Sequence, residues 1–360
     1  MFDRQTKIKI LLTALIFLLV SPLIYAEEKI IFAVTLIRHG DRTPSSEIKN
    51  SKFTYQFPEG IGGLTSLGMH QEYLLGKRMR KRYVDQLHLL PPNYQVGSMY
   101  VLSSPLDRTL MSAQSFLFGF YPPGTGPKLN NNISALPYVV QPIPIYIADA
   151  DQADLLRPEH VNAKRYHQIL DQYFYTSRAW KDENAKLAQD FQRWSKIFGV
   201  EIKNLNDIVD FGEYLSWMQV HGIPLPPGIT KEDQNKIVKE VLRVYALRFT
   251  PKEMVAFTAT PFFTKLNTDL RLAAIGKQPY KYILYSGHDY SILGAMGALG
   301  SPLAGTPPYA AHLNFELYQD GKNFQVKVWY NDKPVRLTSG KNKTSYTLEE
   351  FLDVIKPYQK

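Results

Sequence analysis

The chain has 360 residues, 44% of them hydrophobic, enough for one large domain carrying a smaller insertion. It has a formal net charge of +9 and no cysteine, which excludes disulfides, thiolate metal sites and cysteine-nucleophile chemistry. The basic balance suits an acidic small molecule, with nucleic acid as the competing partner.

Residues 1–26 read as an export signal. Lys7 and Lys9 form a short basic region, Ile10 to Val20 an apolar core, and Ser21-Pro22 a helix break. Ile24-Tyr25-Ala26 then ends on a small residue, so a signal peptide cleaved after Ala26 is predicted. The apolar run is too short and interrupted for a membrane span, so no stable membrane anchor is expected; an uncleaved anchor is the alternative. Losing Arg4, Lys7, Lys9 and Asp3 with this segment leaves a net charge of +7.

Residues 27–150 begin an α/β domain. Ile30 to Ile37 is a continuous apolar run, the pattern of a strand buried in a parallel sheet. It runs into Ile-Arg-His-Gly-Asp-Arg-Thr-Pro at 37–44. Ligand sites of open α/β sheets gather at the carboxyl ends of strands. Arg38 and Arg42 there form a fork for a dianionic oxyanion such as phosphate. Their charge would keep His39 neutral and nucleophilic, which suggests phosphoryl transfer through a phosphohistidine. The competing reading is a structural histidine beside surface arginines. Asp41 is expected to be structural or outward-facing, and His39-x-Asp41 is not read as a metal pair, so no metal and no cofactor are expected.

A polar, glycine-containing loop covers 45–63, and a helix is predicted over 65–87. Its basic run, Lys77-Arg78-Met79-Arg80-Lys81-Arg82, lies on a helix whose apolar face would be Leu67, Leu74, Leu75, Met79 and Tyr83. It therefore reads as a solvated helix face, and no nucleic-acid partner is expected. A strand at 98–103 and a helix at 107–119 follow, with Arg108 at their junction as a third guanidinium. The breaker-rich stretch from Tyr121 to Asn132 must be loop. Pro142 and Pro144 interrupt a strand at 137–147 and send it to a sheet edge or bulge.

Residues 151–250 change character. Charged and apolar residues alternate at helical spacing, as in Phe191, Trp194, Phe198 and in Val238, Val241, Leu242, Tyr245. This segment reads as a helical cap inserted into the sheet domain. Residues 251–360 return to α/β. A helix over 251–275 precedes a strand that ends at Ser286-Gly287, where His288-Asp289 open the next helix. Residues 313–319 and 324–331 alternate as a hairpin around Asp320-Gly321-Lys322, and Thr347 with Glu350 forms a capping box. His70, His88, His160, His167, His221 and His312 have no partner motif and read as surface or core residues. The fold class is thus α/β: a mostly parallel central sheet flanked by helices, with a smaller helical insertion. Folding it would bring three polar constellations at strand ends into one crevice.

The paired marks Arg38-His39-Gly40-Asp41-Arg42-Thr43-Pro44 and His288-Asp289 resemble those of the histidine acid phosphatases. Leu64 to Gly68, Asp107 to Ala113 and Pro307 to Ala310 extend the likeness toward the prostatic and lysosomal acid phosphatases. The resemblance implies that His39 is the nucleophile. It implies that Arg38, Arg42, Arg108 and His288 bind the phosphoryl oxygens. Asp289 would protonate the leaving alkoxide and then activate water. It further implies a metal-independent enzyme with an acidic optimum, acting on a small-molecule phosphomonoester, a phosphoprotein or a lipid phosphate, and leaves a homodimer open. Animal secreted members usually carry disulfides; their absence here favours a bacterial, periplasmic or secreted protein. Two alternatives stand beside this one. A phytase-like inositol phosphate hydrolase is weakened because Tyr290-Ser291 follow the His-Asp pair where that branch has Thr-Asn. A non-catalytic phosphate-binding surface protein would not need His39 and Asp289 together.

Overall fold

The computed structural model describes residues 28–48, 55–149, 152–337 and 343–359, so the segment 1–26 read as a signal lies outside it. A mixed sheet has the order β3-β2-β4-β1-β5-β6-β7, with β8 beside β6. β1 (Lys29–Arg38), β2 (Met99–Ser103), β3 (Tyr146–Ile147) and β4 (Tyr282–Gly287) run parallel. β5 (His312–Asp320) returns antiparallel on β1 and turns into β6 (Asn323–Tyr330) through the predicted hairpin. Short β7 (Lys333–Pro334) and β8 (Tyr346–Thr347) complete the sheet.

β1 shows how the pattern places the core. Phe32, Val34 and Leu36 face one hydrophobic layer, and Ala33 and Ile37 the other. Ile30 joins the second layer although its parity matches Phe32, because the register against β5 shifts between them. One extra residue in a ladder turns every later side chain over. Helices α1 (Ser66–Arg80) and α2 (Asp107–Phe120) cover one face. α10 (Lys252–Ala274), α11 (Asp289–Ala298) and α12 (Leu348–Ile355) cover the other. Thr347 caps α12 in the predicted box.

Between β3 and α10 the described residues form helices joined by turns, with no strand. Short α3 (Ala153–Leu156), α4 (Pro158–Val161), α5 (Ala163–Ile169) and α6 (Arg178–Lys186) lead into α7 (Ala188–Phe198), α8 (Val209–His221) and α9 (Lys231–Leu247). Phe191, Trp194, Phe198, Leu215 and Val241 form their core, which also takes in Met254 of α10 and Leu293 of α11.

The structure corrects sequence expectations at α1 and at β3. In α1, Leu67 and Leu74 face out, and the buried face is Gly68, Glu72, Leu75, Gly76 and Met79. Glycine decides this: a Cβ on Gly76 would sit 2.0 Å from the Phe116 carbonyl of α2, so only this face allows such close approach. The strand at 137–147 shrinks to Tyr146–Ile147 at the sheet edge, preceded by a 3-10 turn over Pro137–Val139. Pro142 and Pro144 have no N–H to give a ladder. In the helical run predicted around Val241, Leu242 is 40% exposed.

Candidate active site

β2, β4 and β1 lie side by side and end level, with Arg38 opposite Gly287 and Ser103 opposite Ser286. Each strand delivers its polar residues within a few positions of its end. The His39 N–H donates to Gly287 O at 3.2 Å, and the Arg38 N–H to Ala311 O at 2.9 Å. The loop after β1 then presses onto α1. A Cβ on Gly40 would lie 2.3 Å from the Gly68 carbonyl oxygen, so glycine is required there.

His39 is buried, and its Nδ1 lies 2.9 Å from the Gly40 carbonyl oxygen. A carbonyl only accepts, so Nδ1 carries the hydrogen and Nε2 keeps its lone pair. Burial, then the charges of Arg38, His288, Arg108 and Arg42, push the His39 pKa well below 6.5. Both influences favour the neutral ring. It meets His288 edge-on at 5.4 Å between centroids, and Tyr309 at 5.8 Å.

The arginines have different partners. Arg38 pairs with Asp289 at 3.1 Å, lies 4.3 Å above the Tyr309 ring and donates to Pro307 O. Arg42 forms a bidentate pair with Glu213 of α8, at 3.1 and 3.2 Å. Burial alone would raise the Glu213 pKa, but the charge and hydrogen bonds of Arg42, with those of Ser45, hold it down at about 2. Tyr245 of α9 donates to the same carboxylate at 3.2 Å. Arg108 reaches the Gly62 carbonyl at 3.5 Å; Gly62 has φ +68°, a turn conformation suited to glycine. Burial and the neighbouring charges of Arg42 and Arg157 lower the Arg108 pKa to about 10, which leaves it cationic.

His288 is the N-cap of α11, and its Nε2 lies 2.9 Å from Ser104 Oγ. Burial, then Arg108, Arg157, Arg42 and Arg38, lower its pKa well below 6.5. Asp289 follows as the first residue of α11 and accepts the Tyr290 N–H at 2.9 Å. Ser291 donates to the Leu156 carbonyl at 2.8 Å, which ties the helix start to the insert. Beyond Leu156 come Arg157 and its ion-pair partner Glu159 at 3.5 Å.

All six residues predicted from the sequence thus meet at one sheet edge. Asp41 is buried rather than outward-facing, bound by Thr65 Oγ1 at 2.6 Å and His221 Nε2 at 2.7 Å. Sequence reasoning missed Glu213, Tyr245, Arg157, Glu159 and Tyr309. Tyr309 sits in the Pro307 to Ala310 run already singled out; the others carry no local signal. Among the described residues, no group of three or more His, Asp or Glu could hold a metal ion.

Comparison with known proteins gives the family and the fold. The family model described as "Histidine phosphatase superfamily (branch 2)" matches residues 29–331. The chain is 30% identical over 339 residues to lysosomal acid phosphatase of Bos taurus, covering 91% of this chain and 77% of that protein. It is 29% identical over 342 residues to prostatic acid phosphatase of Bos taurus, covering 91% and 84%. In fold it is similar to Hafnia alvei phytase in complex with tartrate, with a TM-score of 0.67 at 17% identity, covering 93% and 98% of the two chains. The family match spans most of the sheet and the whole helical segment, and so this chain belongs to branch 2 of the histidine phosphatase superfamily.

Proposed function

We propose that this protein is an acid phosphatase that hydrolyses phosphomonoesters through a phosphohistidine. One observation carries the reading: a neutral His39 with a free Nε2 sits among Arg38, Arg42 and Arg108, with Asp289 alongside. In the first step Nε2 attacks phosphorus and the ester oxygen leaves as Asp289 protonates it. Arg38, Arg42, Arg108 and His288 hold the other phosphoryl oxygens, supplying the positioning and charge stabilisation that phosphoryl transfer needs. In the second step Asp289, now a carboxylate, takes a proton from water as its oxygen attacks the phosphohistidine. Phosphate leaves and His39 is restored. The first step needs the acid form of Asp289, which favours working below neutral pH.

Residues 27–150 and 251–360 form the catalytic domain in this reading, and residues 151–250 the cap inserted into it. Residues 1–26 direct export to the periplasm or medium of a bacterium. No helix among the described residues is long and apolar enough to cross a membrane. N-terminal sequencing of the exported protein should start at Glu27. The homodimer left open by the family likeness is tested by light scattering.

The direct test is hydrolysis of p-nitrophenyl phosphate from pH 3 to 8, with and without EDTA. An acidic optimum that survives EDTA is expected. In His39→Ala the rate should fall by roughly 10⁴-fold or more. Activity that required metal, or persisted without His39, would refute the assignment.

A further inference from the structure

We propose, resting on the phosphatase reading above, that the preferred substrates are monophosphates whose leaving group is uncharged and apolar, and that polyphosphorylated substrates are disfavoured. A proton from Asp289 can reach the leaving oxygen only if the leaving group lies on the carboxylate's side of the phosphate. That carboxylate, with Arg38 and Arg42, borders a cavity of about 370 Å³. Its lining also includes apolar Val220 of α8, Val238 and Leu242 of α9, and Pro307 and Pro308 of the loop before β5, beside the uncharged polar Gln71, Ser216, Tyr245, Thr306 and Tyr309. Val220 is 51% and Leu242 40% exposed, so apolar side chains face open space beside the reacting centre. An apolar group bound there would cover them.

The apolar lining is built as a unit. Thr306 donates to the Leu242 carbonyl through both its N–H and its hydroxyl, each at 3.0 Å, which locks the loop onto α9. Charge points the same way. Beyond Arg38 and Arg42, no lysine or arginine among the described residues lines the cavity. Its remaining charged groups, Glu213 and Asp289, are acids, each already paired with an arginine. A second phosphate on the substrate would lose its hydration there and find no cation in return.

The test is a series of n-alkyl monophosphates from ethyl to hexyl, with inositol hexakisphosphate, followed by phosphate release at one acidic pH. The alkyl alcohols are similar in acidity, so bond breaking is held constant and only the fit varies. We expect kcat/KM to rise about tenfold or more from ethyl to hexyl, with inositol hexakisphosphate well below hexyl. Leu242→Lys and, on a separate helix, Val220→Lys should each pull the hexyl-to-ethyl ratio toward one. Both positions are solvent-facing, so either variant can fold if the other does not. A ratio near one in wild-type enzyme that turns over every ester overturns the apolar wall and leaves the phosphatase reading standing. Inositol hexakisphosphate as the best substrate overturns it in favour of a phytase, and no release from any ester overturns both.

Discussion

The crevice has two walls, and they are built differently. On one wall every functional group stands at or just after a strand end: Arg38 and His39 after β1, Ser104 and Arg108 after β2, His288 and Asp289 after β4. The sheet register holds these groups level. The other wall comes from the helical insert, where Glu213, Tyr245, Arg157 and Glu159 sit on different helices or on the turns between them. Packing of the insert's own core places Glu213 and Tyr245, whereas Leu155 and Leu156, just before Arg157, pack into the core of the sheet. The strand-end wall holds the groups that would react, and the insert wall holds those that set their charge and reach. Changes to the first should therefore appear in kcat, and changes to the second in KM and stability.

The sharpest test of the first wall is Asp289→Asn. Loss of the proton donor should cost roughly 10²–10⁴ in kcat for an alkyl phosphate. The burst of nitrophenolate from p-nitrophenyl phosphate, which reports formation of the phosphoenzyme, should suffer far less, because nitrophenolate leaves without a proton. Comparing the single-turnover phosphorylation rates of the two esters in the variant measures this directly. Equal losses for both in this phosphorylation step would mean that Asp289 holds Arg38 in place and donates nothing to the leaving group.

Glu213→Ala tests the second wall. The Arg42–Glu213 pair is largely buried, and removing one member of a buried pair typically costs about 3–5 kcal/mol. Arg42 would also lose its anchor, so KM should rise about tenfold with a smaller change in kcat. The pH dependence has a definite sign. The Glu213 pKa is depressed from 4.5 to about 2, so its stabilisation is complete above 4.5 and is lost as pH falls through about 2. Urea midpoints of wild type and variant should differ most near neutrality and converge in strong acid. A kcat loss matching that of Asp289→Asn, with KM unchanged, would erase the distinction between the walls.

That distinction also explains what the sequence discloses. A buried parallel strand is a continuous apolar run, so β1 is visible, and its end falls within the same peptide as His39 and the two arginines. The likeness to acid phosphatases rests on just such local strings. Glu213 is 171 positions from Arg42, on a helix whose sequence looks like core packing, and no string links the two. His221 has the same difficulty: it meets Asp41 only after α8 has packed. The face of α1 was misjudged for another reason. Counting apolar residues favours Leu67 and Leu74, while contact with α2 favours Gly68 and Gly76, where backbones can touch. β3 failed as a long strand because two prolines removed its donors, but its place at the edge followed from the same prolines.

The smallest expected effect belongs to Glu159, and it separates the walls most finely. Burial, only partly offset by its backbone hydrogen bond and by Arg157, raises the Glu159 pKa from 4.5 to about 7. The folded state thus binds this proton more tightly than the unfolded chain. No stability is lost below 4.5, some is lost as pH rises toward 7, and the full penalty stands above 7. Glu159→Gln removes the penalty. The variant should match wild type near pH 4 and exceed it near pH 8 by at most about 2–3 kcal/mol, read from urea midpoints at the two pH values. The same proton acts on the crevice. Arg157 is near enough for its charge to lower the pKa of Arg108 and of His288. When Glu159 is neutral, that charge is no longer offset and should strengthen phosphate binding. Inhibition by inorganic phosphate at pH 8 should then be several-fold tighter in Glu159→Gln than in wild type, with kcat little changed. A stability gain without the tighter inhibition would confine Glu159 to the fold and leave Arg157 outside the phosphate field.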